Sequence, residues 1–100
     1  MKTHQKPIHP GEILLEEFMK PLGLSQNALA RTLRVPPRRI NEIVHEERSI
    51  SPDTALRLAR YFGTTAEFWV GLQVDYDLRL VRYRSQHEIN KAVIPMKLAA

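Results

Sequence analysis

The stretch Gln26-Asn27-Ala28-Leu29-Ala30-Arg31-Thr32-Leu33-Arg34-Val35-Pro36-Pro37-Arg38-Arg39-Ile40-Asn41-Glu42-Ile43-Val44 decides the fold. Gln26, Leu29, Ala30 and Leu33 recur at offsets of three, four and seven, the spacing of one helical face, and Ser25 before them is a good N-cap. Val35-Pro36-Pro37 then forces a stop, because a residue before proline is pushed out of the helical region and here two successive residues precede one. Pro37 suits the first position of another short helix, with Ile40, Ile43 and Val44 on one side and Arg38, Asn41, Glu42 and His45 on another. Two helices crossing at roughly 90–120° need a small side chain at their nearest approach and apolar anchors on both sides of the turn. Ala30 supplies the first, and Leu29, Leu33, Val35, Ile40 and Ile43 supply the second. This is helix-turn-helix spacing, although any two packed helices share part of it.

The flanking sequence reads as helix throughout. Gly11 to Met19 sets Ile13, Leu14, Leu15 and Phe18 beside Glu12, Glu16 and Glu17, with Pro10 at a first helical position and Pro21 and Gly23 closing the segment. Ser51-Pro52-Asp53 caps a fourth helix carrying Ala55, Leu58, Ala59 and Phe62, which Gly63 terminates. Thr64 with Glu67 makes a capping box for a fifth, running through Phe68, Trp69, Leu72 and Tyr76 and expected to end between Asp77 and Gln86. From His87 to Ala100 there is Pro95 and no clear periodicity, so that stretch is expected to be flexible or to order against a partner. The expectation is an all-α, compact five-helix bundle: an N-terminal tail at 1–8, one domain at 9–84 and a C-terminal tail at 85–100.

Composition narrows the function. One hundred residues suffice for a single modest core. The 43% hydrophobic and 26% charged fractions are those of an ordinary globule, and zero cysteines exclude disulfides and thiolate zinc sites. No apolar run approaches the roughly 20 residues of a membrane span, and Met1 to Pro10 lacks the hydrophobic segment of a signal peptide, so a cytoplasmic location is expected. The net charge is +4, and from Phe18 to Asn41 no acidic residue accompanies Lys20, Arg31, Arg34, Arg38 and Arg39. Such a cluster is either a solvated face or a site for a polyanion.

The position of the cluster on the motif favours DNA. In a helix-turn-helix the second helix enters the major groove, so Pro37, Arg38, Asn41, Glu42 and His45 are the candidate base-reading residues. Arginine pairs bidentately with guanine, asparagine with adenine, and glutamate accepts from the amino group of cytosine. Gln26, Asn27, Arg31, Arg39, Arg48 and Ser49 are candidate phosphate contacts, for each of which plain solvent exposure is the competing reading. Pro36 offers no capping hydroxyl, which leaves the first N–H groups of the third helix to water or a phosphate oxygen.

These residues resemble the HigA/VapI-type antitoxins, a branch of the phage-repressor-like (XRE) helix-turn-helix proteins. The likeness spans His9 to Leu78. It rests on His9-Pro10-Gly11-Glu12-Ile13-Leu14, Leu22-Gly23-Leu24-Ser25-Gln26, Arg48-Ser49-Ile50-Ser51, Phe62-Gly63-Thr64-Thr65, Glu67-Phe68-Trp69 and Leu72-Gln73. The resemblance implies a lambda-repressor-like DNA-binding domain acting as a transcriptional repressor. It implies a dimer on a palindromic operator that also neutralises a HigB-type toxin, a ribosome-dependent messenger-RNA nuclease. It further implies dimerisation through the last helix, for which Trp69, Leu72, Tyr76, Leu80 and Tyr83 are the candidates; packing into the protomer's own core is the competing reading for the same residues. Three positions depart from the pattern: Arg34 and Glu46 stand where many relatives have glycine, and Pro36 where they have serine or threonine.

An enzyme is the first rival, but His4, His9, His45 and His87 share no face, and Glu16 and Glu17 point to different sides of a helix. No cofactor or metal is expected. Two further rivals are a toxin-binding module that has lost operator binding and a stand-alone regulator without a toxin. Salt dependence separates the toxin-binding module from a DNA binder, because bound phosphates release counterions.

Overall fold

The computed structural model describes residues 6–97, and among them every regular element is helical. His4 and the outermost parts of both expected tails, 1–5 and 98–100, lie outside the described residues. Helix α1 (Pro10–Ile13) continues without interruption into a π-helical stretch (Leu14–Met19), where the Lys20 N–H donates to the Leu15 carbonyl at 2.9 Å. It is followed by α2 (Gln26–Leu33), α3 (Pro37–Val44), α4 (Pro52–Phe62) and α5 (Ala66–Ala92).

The caps explain where these helices begin and end. Ser25 and Ser51 accept from the N–H groups of Ala28 (3.0 Å) and Thr54 (3.3 Å), each satisfying one of the donors a helix start leaves orphaned. The cap of α5 is Thr65, accepting from Phe68 N–H at 3.0 Å, and not Thr64 as the spacing indicated. Thr64 instead accepts from the indole Nε1 of Trp69 at 2.7 Å.

Both helices of the motif close in the same way. At the end of α2, Val35 N–H reaches the Ala30 carbonyl (3.0 Å) and Arg34 N–H the Arg31 carbonyl (3.3 Å). After α3, Glu47 N–H reaches Glu42 (2.8 Å) and Glu46 N–H reaches Ile43 (3.0 Å). This paired pattern is the Schellman motif, which needs a left-handed residue after the helix. Arg34 (φ 60°) and Glu46 (φ 64°) fill that place, so the turn keeps the geometry that glycine adopts freely at the expense of a crowded Cβ.

Leu14, Met19, Leu29, Ala30, Leu33, Val35, Ile40, Ile43, Val44, Ile50, Ala55, Leu58 and Trp69 form one continuous core. Every apolar position that defined the helix-turn-helix spacing is therefore buried. Trp69 is completely enclosed, with the rings of Phe18 (4.8 Å) and Phe68 (5.0 Å) against it.

Helix α1 meets α3 closely enough that a Cβ on Gly11 would overlap the Ile43 carbonyl group. His9 fixes this junction: buried itself, it accepts the Gly11 N–H on Nδ1 at 2.8 Å and lies edge-on to Tyr76 of α5 at 4.8 Å. Gln73, also buried, accepts from Ile50 N–H (2.8 Å) and donates to Asp77 (2.9 Å), fastening the α3–α4 connection to α5.

The expected end of the last helix is corrected by this structure. Helix α5 runs to Ala92 because no glycine or proline interrupts it between Gly71 and Pro95, and its distal half leaves the body. The molecule is accordingly 56 Å in its longest dimension against 31 and 24 Å in the others.

Candidate nucleic-acid interface

Helix α3 is held on three sides, which makes its outer face a rigid platform. Its inner residues Ile40, Ile43 and Val44 are buried, and α1 abuts its C-terminal end through Gly11. Its third support is Arg39, whose guanidinium donates to Asp53 (2.7 Å) and Thr54 (3.4 Å) at the start of α4. Asp53 also accepts from Arg57 (2.9 Å), and the two arginines, Arg39 foremost, hold its carboxyl below the usual carboxylate range. Arg57 in turn donates to the Leu33 carbonyl (2.9 Å), one of the acceptors that the end of α2 leaves unpaired. A polar chain therefore runs from α3 through α4 to the helix-turn-helix corner.

Arg39, a candidate for the phosphate path, makes its side-chain bonds here within the protein. It is half-buried and turned toward α4, because the acidic N-terminal turn of that helix offers a fixed anion close by. Arg57 was not singled out in the sequence. Its partners are 24 and four residues away, and only the folded packing brings all three together.

Pro37, Arg38, Asn41 and His45 are all exposed on the outer face of α3. The Asn41 amide donates to Gln26 Oε1 at 3.0 Å, linking the first residue of α2 to the middle of α3. His45 Nδ1 lies 2.7 Å from the Asn41 carbonyl, so its ring folds back along the helix end. Pro36 offers no side-chain cap, and the first backbone bond of α3 is from Arg39 N–H to the Pro36 carbonyl (3.0 Å).

Glu42 differs from its neighbours. Its two carboxylate oxygens accept from Arg38 Nε and Arg48 Nε, each at 2.8 Å. These bonds, Arg38 first, hold the Glu42 carboxyl below its ordinary range, and the same pairing raises Arg38. The expectation that Glu42 accepts from a cytosine meets a carboxylate that is already engaged on both oxygens. Among the remaining candidates, Asn27, Arg31, Arg48 and Ser49 are exposed, and Gln26 is half-buried.

The five residues expected at a dimer contact divide. Trp69 is enclosed in the protomer's own core, Leu72 packs against that core and Tyr76 lies against His9. The inward-facing turns of α5 use them, Trp69 wholly and Leu72 and Tyr76 in part. Leu80 is half-buried and Tyr83 exposed, and Leu78, Val81 and Ile89 nearby are exposed as well.

The helix-turn-helix family pattern matches residues 15–69, which include the whole of α2, α3 and α4. Virulence-associated protein I of Dichelobacter nodosus is 52% identical over 99 residues, covering 99% of this chain and 90% of that protein. An addiction module antidote protein of the HigA family from Coxiella burnetii superposes with a TM-score of 0.86 at 48% identity, over 92% of this chain and all of the other. The chain belongs to the HigA-type branch of the helix-turn-helix family. A further HigA-type structure, the Pseudomonas aeruginosa antitoxin HigA with the higBA promoter, gives a TM-score of 0.88 at 45% identity, over 91% of this chain and 99% of that one.

Proposed function

We propose that this protein is the antitoxin of a HigBA-type toxin–antitoxin operon and a sequence-specific repressor of that operon. It acts by binding and not by catalysis. The observation that carries the reading is the outer face of α3: Arg38, Asn41 and His45 stand exposed together on a helix whose other sides are clamped by Gly11, Arg39 and the buried Ile40 and Ile43. A helix so fixed presents its donors and acceptors in one arrangement, which is what discrimination between base pairs requires. The exposed Arg31, Arg48 and Ser49 suit phosphate oxygens, which set register without reading sequence. The P. aeruginosa antitoxin, similar over nearly the whole chain, was solved with promoter DNA, and that supports the same partner here.

The functional unit is a homodimer joined through the distal half of α5, so that two α3 helices meet a palindromic operator about one helical turn apart. No helix among the described residues is long and apolar enough to cross a membrane, and the protein works in the cytoplasm, where its operator lies. The test is a gel shift on the DNA upstream of its own gene, with and without the product of the adjacent reading frame. Retardation that the neighbouring product alters is expected. Retardation with no response to that product makes the protein a stand-alone regulator, and a complex with the product but no DNA shift makes it a toxin-binding module.

A further inference from the structure

We infer that Glu42 is a positioning residue: it orients Arg38 for a base and Arg48 for the DNA backbone, and reads no base itself. This rests on the DNA-binding function proposed above. Both hydrogen bonds to Glu42 are made by the Nε–H of an arginine. A guanidinium has five donors in a planar fork, and engaging Nε from the side leaves the terminal Nη1/Nη2 edge directed away from the carboxylate. That edge pairs bidentately with guanine O6 and N7 or with a phosphate.

Accessibility orders the three groups in the same sense. The Arg38 side chain is 83% exposed and Arg48 45%, whereas Glu42 is 21% exposed, so the carboxylate lies behind the arginines. A bare carboxylate facing a phosphate groove would repel it; one paired with two guanidiniums belongs to a cluster of net positive charge. The cluster also joins α3 to the connection that follows it, since Arg48 lies beyond the helix end at Val44. The base-directed and backbone-directed arginines are thus set at a fixed separation before DNA arrives, which lowers the ordering cost of binding.

The consequence is a separation of specificity from attraction. Replacing Glu42 by alanine frees two arginines to grip phosphates anywhere and removes the negative charge that restrained them. Binding to a duplex of the upstream DNA should weaken about tenfold, the size of a coupling between residues in one polar network. Binding to a scrambled duplex of equal length should stay the same or tighten. Glu42→Gln keeps one accepting oxygen and should fall between. In an Arg38→Ala background the glutamate substitution should add no loss at the base pair that Arg38 reads.

The experiment measures both duplexes, and single base-pair substitutions of the upstream duplex, against wild type, Glu42→Ala, Glu42→Gln, Arg38→Ala and the Arg38→Ala/Glu42→Ala double variant. It also follows exchange of the arginine Nε protons with water by NMR in the free protein. Slow exchange at Arg38 and Arg48 in wild type, accelerated at both by Glu42→Ala, together with a reduced operator-to-scrambled ratio, is the expected result. An equal loss from Glu42→Ala with and without Arg38, confined to a single C·G pair, would show that Glu42 reads cytosine directly and overturn the proposal. Fast Nε exchange in wild type would overturn it by denying the cluster. Slow exchange in a wild type that binds neither duplex would instead overturn the DNA-binding function, and the positioning role with it, while the cluster itself stands.

Discussion

Trp69 and Tyr83 are aromatic residues of one helix, yet the first is completely enclosed and the second is 52% exposed. Around Trp69, α5 is held by rings from the π-helical stretch and α4 and by the Gln73 bridge to the α3–α4 connection. Around Tyr83 it is held by its own ladder and by side-chain pairs one turn apart, Arg79 with Asp75 (2.8 Å) and Gln86 with Asn90 (3.0 Å). Such pairs contribute only about 0.2–0.5 kcal/mol each, and a solitary helix is marginal in water. Proximal α5 is therefore part of the DNA-reading body, while distal α5, with Leu78, Val81, Tyr83 and Ile89 exposed, is a surface suited to burial against a second copy.

Substitutions should expose this contrast. Trp69→Ala removes the largest enclosed side chain and the Thr64 bond and should cost about 3–5 kcal/mol in chemical denaturation. A loss below about 1 kcal/mol would mean that the proximal half is not held as described. Gly11→Ala forces a methyl group into the Ile43 carbonyl, a backbone neighbour that cannot rotate away, and should cost about 1–3 kcal/mol, with operator affinity falling because α3 loses its abutment.

His9 at the same junction gives a pH signature. Burial lowers its pKa, against the opposing influence of Glu46 and Asp77, and Nδ1 must be unprotonated to accept the Gly11 N–H. Its contribution is thus complete above the unfolded value of about 6.5 and is lost as pH falls through the lower folded value. The melting temperature should drop between pH 7 and pH 5 by more in wild type than in His9→Asn, which caps without titrating; equal drops would remove His9 from the account.

Smaller effects belong to the turn and the distal helix. Arg34→Gly relieves a left-handed Cβ and should stabilise the protein by about 1 kcal/mol without altering the corner. Tyr83→Ala should change the stability of the protomer by less than about 0.5 kcal/mol, as exposed positions do. Its effect should appear in sedimentation as weaker self-association, and an unchanged dimer would place the contact elsewhere.

The legible parts of this molecule were those encoded by near neighbours in the chain. Leu29, Ala30, Leu33, Val35, Ile40 and Ile43 declared the motif because its two helices and turn are contiguous, and all six are buried. Ser25 and Ser51 declared helix starts for the same reason. The partners of Arg39 and Glu42 were not legible because tertiary geometry fixes them: spacing on α3 cannot show that one turns to Asp53 and the other to Arg48. The extent of α5 was hidden differently. Its distal half buries no face in the body, and from His87 onward the sequence carries no clear periodicity, leaving only the absence of a breaker before Pro95 as a signal.

The central claim, that the outer face of α3 reads base pairs, is tested most directly by a base-pair substitution scan of the upstream DNA with wild type and Arg38→Ala. Wild type should discriminate about tenfold to a hundredfold at one guanine in each half-site, and Arg38→Ala should lose discrimination there while keeping it at every other position. A loss of the same size on every sequence would make Arg38 a phosphate contact and contradict the account.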